Sequence, residues 1–288
     1  MTSASDALTW LPSGDERSSW FGQVERFRIG ATEFQCSFEH GSDPDRFLIC
    51  KNRRLVEDYL AVFDDFPDAR MVELGIMDGG SVALAAMAAT PAKLVALELD
   101  ENRVDALDDL IARLDLAERI RPYYGVDQAD RARVGELVDE EFGEGKLDLV
   151  IDDASHLLDE TRASFETLFP RLRPGGLFLI EDWNWQHRMA MAAAAALADP
   201  DSRAHAKLER RMREGEITAT PPAAKSADPP LAQLVVELVL AQAESDEFLT
   251  EVSVSPWWIG VRRGGGELDL ATFRLADLYT DHLGLLPT

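Results

Sequence analysis

Two acidic stretches and one histidine carry the most conspicuous chemistry in this chain. The first is Asp152-Asp153-Ala154-Ser155-His156, behind the apolar run Leu147-Asp148-Leu149-Val150-Ile151. The second is Glu181-Asp182-Trp183, behind Leu177-Phe178-Leu179-Ile180. If the two runs are neighbouring strands of a doubly wound sheet, they lie about 4.8 Å apart. Their carboxyl ends then gather up to four carboxylates around one point, at the edge where such sheets bind ligands. Left uncompensated, that cluster repels itself. A hard divalent cation relieves the repulsion, and oxygen ligands with retained waters suit Mg²⁺. Adjacent strand residues face opposite ways, so not all four acids need reach a metal. Histidine titrates near neutral pH, so His156 suits a general base. The plainer account makes the acids solvated strand ends and His156 a cap on the helix that follows.

A second constellation sits upstream, in Met71-Val72-Glu73-Leu74-Gly75-Ile76-Met77-Asp78-Gly79-Gly80-Ser81. An apolar strand carrying a carboxylate enters a glycine turn, and an alanine-rich helix follows. Nicotinamide dinucleotide sites want G-x-G-x-x-G at such a turn. Here three residues separate Gly75 from Gly79, and Glu73 would be unwelcome beside a pyrophosphate. It suits a ligand carrying an ammonium and a sulfonium. Glu98 ends the next strand, where an acid can accept both hydrogen bonds of a ribose diol, with Asp100 as the alternative. Asp127, after the third strand, is placed to meet an adenine edge.

The elements that must position these residues alternate. Strands are predicted at 70–74, 93–99, 120–124, 147–151 and 177–180, with helices at 52–66, 81–89, 101–114, 131–142 and 158–172 between and before them. Such β–α units argue for a parallel, doubly wound α/β sheet covered on both faces. Runs at 248–254 and 257–262 add an antiparallel C-terminal strand pair, making seven strands. Helical patterns are also expected at 183–198, 231–243 and 270–283. Residues 21–50 read as a small hairpin or irregular segment, and the first 20 as a loosely attached arm. The division expected is an N-terminal arm or substrate-side segment at 1–54 and a ligand-binding domain at 55–288, with a variable insertion at about 188–230.

At this point the chain resembles the class I S-adenosylmethionine-dependent methyltransferases. Glu73-x-Gly75-x-x-x-Gly79, Glu98 and Asp127 fall where that superfamily contacts its cofactor. The resemblance implies S-adenosylmethionine as cofactor, a Rossmann-like fold, and a cofactor set of Glu73, Gly75, Gly79, Ser81, Glu98, Asp127 and Asp152. Asp152 has a structural hydrogen bond as its alternative role. Asp153-x-x-His156 with Glu181-Asp182, Phe169-Pro170-x-x-Arg173-Pro174-Gly175-Gly176 and Ile180 further resembles the metal-dependent O-methyltransferases of macrolide sugars, mycinamicin type. Their cephalosporin-hydroxylase-like relatives share the pattern. That likeness implies Mg²⁺ held by Asp153, Glu181 and Asp182, His156 as base, and a small hydroxylated acceptor such as a sugar of an antibiotic or polyketide. A metal-independent methyltransferase and a non-catalytic S-adenosylmethionine-binding module remain the alternatives.

Composition narrows the partners. Of 288 residues, 29 are Lys or Arg and 53 are Asp or Glu, a formal charge of -24 that repels nucleic-acid backbones. No basic leader opens the sequence and no apolar run reaches about 18 residues, so a cytoplasmic protein off the membrane is expected. Cys36 and Cys50 show no metal or redox spacing and read as buried free thiols. Homo-oligomerisation stays open. Trp183 and Trp185 suit either stacking on a sugar or covering the core, His187 reads as surface, and the arginine-rich 203–213 run suits either a lid or a solvated helix face.

Overall fold

The computed structural model describes residues 3–12, 14, 16–18, 22–37, 41–143, 145–202, 205–206, 210 and 229–286. Its centre is a seven-stranded sheet. In chain order the strands are β7 (Arg70–Leu74), β8 (Lys93–Glu98), β9 (Ile120–Tyr124), β10 (Leu147–Asp152), β11 (Leu172–Glu181), β12 (Leu249–Val254) and β13 (Trp258–Arg263). Across the sheet they run β12-β13-β11-β10-β7-β8-β9. The first five are parallel, and β13 and β12 close the edge antiparallel. This is the Rossmann-like order expected from the alternating runs. The chain leaves β7 in one direction and returns at β10 on the other side. The switch point, where open sheets seat ligands, therefore lies between Gly75 and Asp153.

Burial on both faces explains why the strands read as apolar runs. One core packs Met71, Leu94, Ala96, Leu149 and Ile151 under helices α1 (Arg53–Asp65), α2 (Gly80–Leu84) and α3 (Asp105–Arg113). The other packs Val72, Val95, Val150 and Phe178 under α4 (Arg131–Phe142), α5 (Leu158–Leu168) and a later helix, Gln233–Glu244. Helix α1 is capped by Asn52, whose side chain accepts from the Leu55 amide at 2.9 Å, and it buries Leu55, Val56, Tyr59, Leu60 and Phe63.

Four local expectations differ from what forms. Residues 101–104 stay outside α3, because the Asp100 carboxylate accepts from the Asn102 amide at 2.9 Å and offers the backbone an alternative to helix. Helix α5 stops at Leu168 and tightens into a 3₁₀ turn, Phe169–Arg171, at Pro170, which lacks the amide a helix needs. The tail at 270–283 holds only a 3₁₀ turn, Leu275–Leu278. Most substantially, residues 8–49 contain a sheet: β1 (Leu8–Trp10), β4 (Arg26–Ile29), β5 (Thr32–Cys36) and β6 (Arg46–Ile49), side by side in that order. The short strands β2 (Arg17–Ser18) and β3 (Gly22–Gln23) pair separately. The start of the chain is also tied down, since Asp64 accepts from the Ser3 hydroxyl and the Ala4 amide, both at 2.6 Å.

This N-terminal sheet is welded to the larger one. Phe27 stacks on Phe34 at 4.8 Å and Phe34 on Phe47 at 5.8 Å, all fully buried in the core that α1 and α2 share. Gly80 makes the closest join: a Cβ there would sit 2.2 Å from the Leu48 carbonyl oxygen. Helix α2 can therefore lie against β6 only with glycine at that position. One consequence is that the chain leaving β6 passes directly into the edge of the central sheet.

Candidate active site

The glycine turn after β7 is held by its neighbours on both sides. Gly75 has φ +94° and donates to the Leu97 carbonyl at 2.8 Å, and a Cβ on it would lie 2.3 Å from the Asp153 carbonyl oxygen. Only glycine meets both conditions. Glu98 reaches back from the end of β8, one oxygen accepting from the Ile76 and Met77 amides at 2.8 and 2.9 Å, the other from the Asp100 amide at 3.0 Å. It thus sets the shape of the turn, and the oxygen bound only to Asp100 keeps a lone pair for a ligand. Gly79, at φ +80°, caps the N-terminus of α2, with Ser81 in its first turn.

Glu73 is the unusual member of this group. It is 1% exposed, and neither oxygen makes a hydrogen bond of ordinary geometry. Burial pushes its carboxyl up to about 7, offset in part by the nearby Ser81 hydroxyl and the Lys51 charge. A buried acid without a partner is costly to keep ionised. Asp127 is exposed and closes a turn on the Ala129 amide at 2.8 Å. Asp152 faces inward at 2% exposure, taking both amide hydrogen bonds of Gln128 at 3.1 and 3.2 Å and the Ser164 hydroxyl. Gln128 in turn accepts from the Ser155 amide at 2.9 Å, so this network fixes the loop that carries Asp153 and His156.

The acids at the ends of β10 and β11 are arranged around a residue not singled out from the sequence. Lys51, just past β6, is 2% exposed. Its Nζ donates to Asp153 Oδ2 at 2.8 Å and to Glu181 Oε1 at 2.7 Å, and lies 4.7 Å from the centre of the Tyr59 ring. Tyr59, from α1, donates its hydroxyl to the same Glu181 oxygen. Burial alone would lower the Lys51 pKa, but Asp153 and Glu181 outweigh it and hold it above the ordinary lysine range. Burial and the Asp153 charge push Glu181 up to about 8.

Asp182 has a cation partner of its own. It has φ +49°, donates its amide to the Trp257 carbonyl at 2.9 Å, and meets Arg188 at 3.4 Å. Burial, then Asp153, raise its pKa. His156 has φ +55°, and its Nε2 lies 3.8 Å from Asp153 Oδ1. Among the described residues, no three carboxylate, histidine or cysteine side chains converge closely enough to hold a metal ion. The repulsion between Asp153 and Glu181 is answered here by a lysine.

Around this point, Trp185 donates its indole to the His156 carbonyl at 2.9 Å and Trp183 to the Ser255 carbonyl at 2.9 Å, the latter ring packing on the core. His187 is exposed. The arginine-rich 203–213 run lies largely outside the described residues. Cys36 and Cys50 are free thiols, which burial pushes up to about 12. No helix among the described residues is long and apolar enough to cross a membrane.

Comparison with known proteins matches this part of the chain. Residues 72–183 fit the family described as "Methyltransferase domain", a span running from the strand before the glycine turn to the acids after β11. Among named relatives, the chain is 43% identical over 74 residues to the mycinamicin VI 2''-O-methyltransferase of Micromonospora griseorubida, covering 20% of this chain and 18% of that one. It is 37% identical over 89 residues to the 8-demethyl-8-alpha-L-rhamnosyl tetracenomycin-C 2'-O-methyltransferase of Streptomyces olivaceus, covering 31% and 22%. The matched segments thus span 22% and 18% of the lengths of these curated relatives. Among solved structures, the MycE methyltransferase of the mycinamycin pathway, in complex with Mg, SAH and mycinamycin VI, aligns at 24% identity and TM-score 0.47, over 73% of this chain and 49% of that one.

Proposed function

We propose that this chain moves a methyl group from S-adenosylmethionine to a hydroxyl of a small glycosylated natural product, a sugar of an antibiotic or polyketide. The observation that carries the reading is the buried carboxylate of Glu73, with no hydrogen bond of ordinary geometry, beneath a glycine turn at the switch point of a segment that matches a methyltransferase domain. Such a carboxylate fits a ligand bearing positive charge, and the two left-handed glycines put no Cβ at either end of the turn. When bound, S-adenosylmethionine supplies an electrophilic methyl on a sulfonium.

The chain's own residues do the rest. Glu73 balances the donor's positive charge, Gly75 and Gly79 admit it to the backbone, and Glu98 fixes the turn and offers its remaining lone pair to a ribose. Asp127 and Ser81 stand at the rim of the same edge. His156 takes the proton of the acceptor hydroxyl at Nε2, and Asp153 stabilises the charge that results, the pairing of base and carboxylate that general-base catalysis favours. Most of the acceleration comes from holding the hydroxyl oxygen in line with the methyl.

The metal-dependent likeness would put Mg²⁺ on Asp153, Glu181 and Asp182. Their oxygens are of the right kind. Two of the three are already bound to the Lys51 ammonium, so the set as arranged does not fit a divalent cation, and no step is routed through one. This favours the metal-independent form of the reaction. The test is release of S-adenosylhomocysteine when glycosylated polyketides with free sugar hydroxyls are added to protein and donor. A protein that neither binds S-adenosylmethionine nor releases product would remove the reading.

A further inference from the structure

We infer that Lys51 is a built-in counter-cation occupying the place a divalent ion would take between Asp153 and Glu181, so that this carboxylate pair binds such an ion only when Lys51 is removed. The proposal concerns the pair itself and can fail or stand without any acceptor or methyl donor.

Three observations carry it. First, the contact is direct: Nζ lies 2.8 Å from one carboxylate and 2.7 Å from the other, distances of charge-assisted hydrogen bonds. Second, the shared oxygen is saturated. Glu181 Oε1 accepts from both Lys51 and the Tyr59 hydroxyl, so a metal reaching that oxygen has to displace one of them. Third, the lysine cannot easily withdraw. The residue before the preceding Cys50 is Ile49, paired with Cys36 in the N-terminal sheet, and the residue after Lys51 is Asn52, the cap of α1. Leu48, three positions back, is wedged against Gly80. The backbone is thus pinned on both sides, and the side chain is 2% exposed.

Charge follows the same pattern across the cluster. Asp182 meets Arg188 at 3.4 Å, and His156 faces the other Asp153 oxygen. A divalent ion entering beside the ammonium would meet a like charge at contact distance in a buried setting, where such repulsion is strongest.

The experiment is a titration of the full chain with Mn²⁺ alone, followed by calorimetry or by the loss of free-ion paramagnetic signal. Lys51→Met keeps most of the length of the side chain and removes its charge. The expected result is that Lys51→Met binds Mn²⁺ roughly a hundredfold more tightly than the parent, the scale on which one close like charge shifts an ionic equilibrium. Adding Asp153→Asn to Lys51→Met should abolish the gain. Equal affinity in parent and variant overturns the proposal, as does a folded Lys51→Met that gains no site. If Lys51→Met does not fold, the parent decides alone. A saturable sub-millimolar Mn²⁺ site that Asp153→Asn removes from the parent contradicts the inference, and its absence supports it.

Discussion

Lys51 Nζ and Glu181 Oε1, 130 residues apart in sequence, lie 2.7 Å apart at the carboxyl edge of the central sheet. The link ties the N-terminal sheet to the ends of two neighbouring strands. It makes a segment that looks like an appendage part of the wall of the site.

Removing that cation should cost stability. Breaking a buried ion pair by deleting one partner typically costs about 3–5 kcal/mol, because the other charge stays buried and unpaired. Lys51→Met should lose an amount of that order in urea denaturation. Lys51→Met with Glu181→Gln should recover part of it, since the amide leaves no stranded charge. A single-variant loss under about 1 kcal/mol would mean the pair contributes little.

Glu73 makes stability depend on pH in a defined direction. Its carboxyl is pushed up to about 7 from an ordinary 4.5, so the folded protein keeps a proton that the unfolded chain has already released. Stability therefore falls as pH rises from about 4.5 through about 7 and levels off above, by up to about 3 kcal/mol from this one group. Denaturation midpoints measured across this range should decline, and Glu73→Gln should flatten the curve while weakening S-adenosylmethionine binding. A variant whose pH profile matches the parent would refute the assignment.

Much of this was legible in the chain, for physical reasons. A strand buried on both faces has to be apolar, so the five parallel strands announce themselves, and acids just past their ends fall at the ligand edge. The glycine turn is local, and its spacing is enough to separate it from a dinucleotide turn. What was hidden is non-local. Strands β5 and β6 pair in parallel, which no local periodicity reveals, and Lys51 finds partners 102 and 130 residues away. One signal was present: a lone lysine ending the apolar run Phe47-Leu48-Ile49-Cys50, since a cation in such a place must be paired. Asp152 shows the complementary limit. Its type and position suited a ligand contact, but only the fold shows Gln128 and Ser164 turning it inward.

Gly75 should tolerate no side chain. Gly75→Ala places a Cβ against the Asp153 carbonyl at a left-handed φ, so it should destabilise by more than the ~1 kcal/mol of an ordinary glycine exchange. Thermal melting would show the loss, and calorimetry the loss of donor binding. Gly143, also at positive φ but with open space around it, is the control and should leave donor binding unchanged.

His156 should matter for rate and not for donor affinity. Asparagine tolerates the left-handed backbone at this position, so His156→Asn should fold normally and hold S-adenosylmethionine as the parent does. Turnover should fall by about 10²–10⁴, the usual worth of a positioned general base. A variant within a few-fold of the parent in kcat would show that another group takes the proton.

The most direct test of the account is the fate of the donor's methyl group. The protein is incubated with S-adenosylmethionine carrying a deuterated methyl and a glycosylated polyketide bearing free sugar hydroxyls, and the product is resolved by mass spectrometry and NMR. The account predicts the labelled methyl on a sugar oxygen, in amounts matching S-adenosylhomocysteine release and undiminished by EDTA. Label on carbon or nitrogen, or turnover that vanishes with EDTA and returns with Mg²⁺, would contradict it.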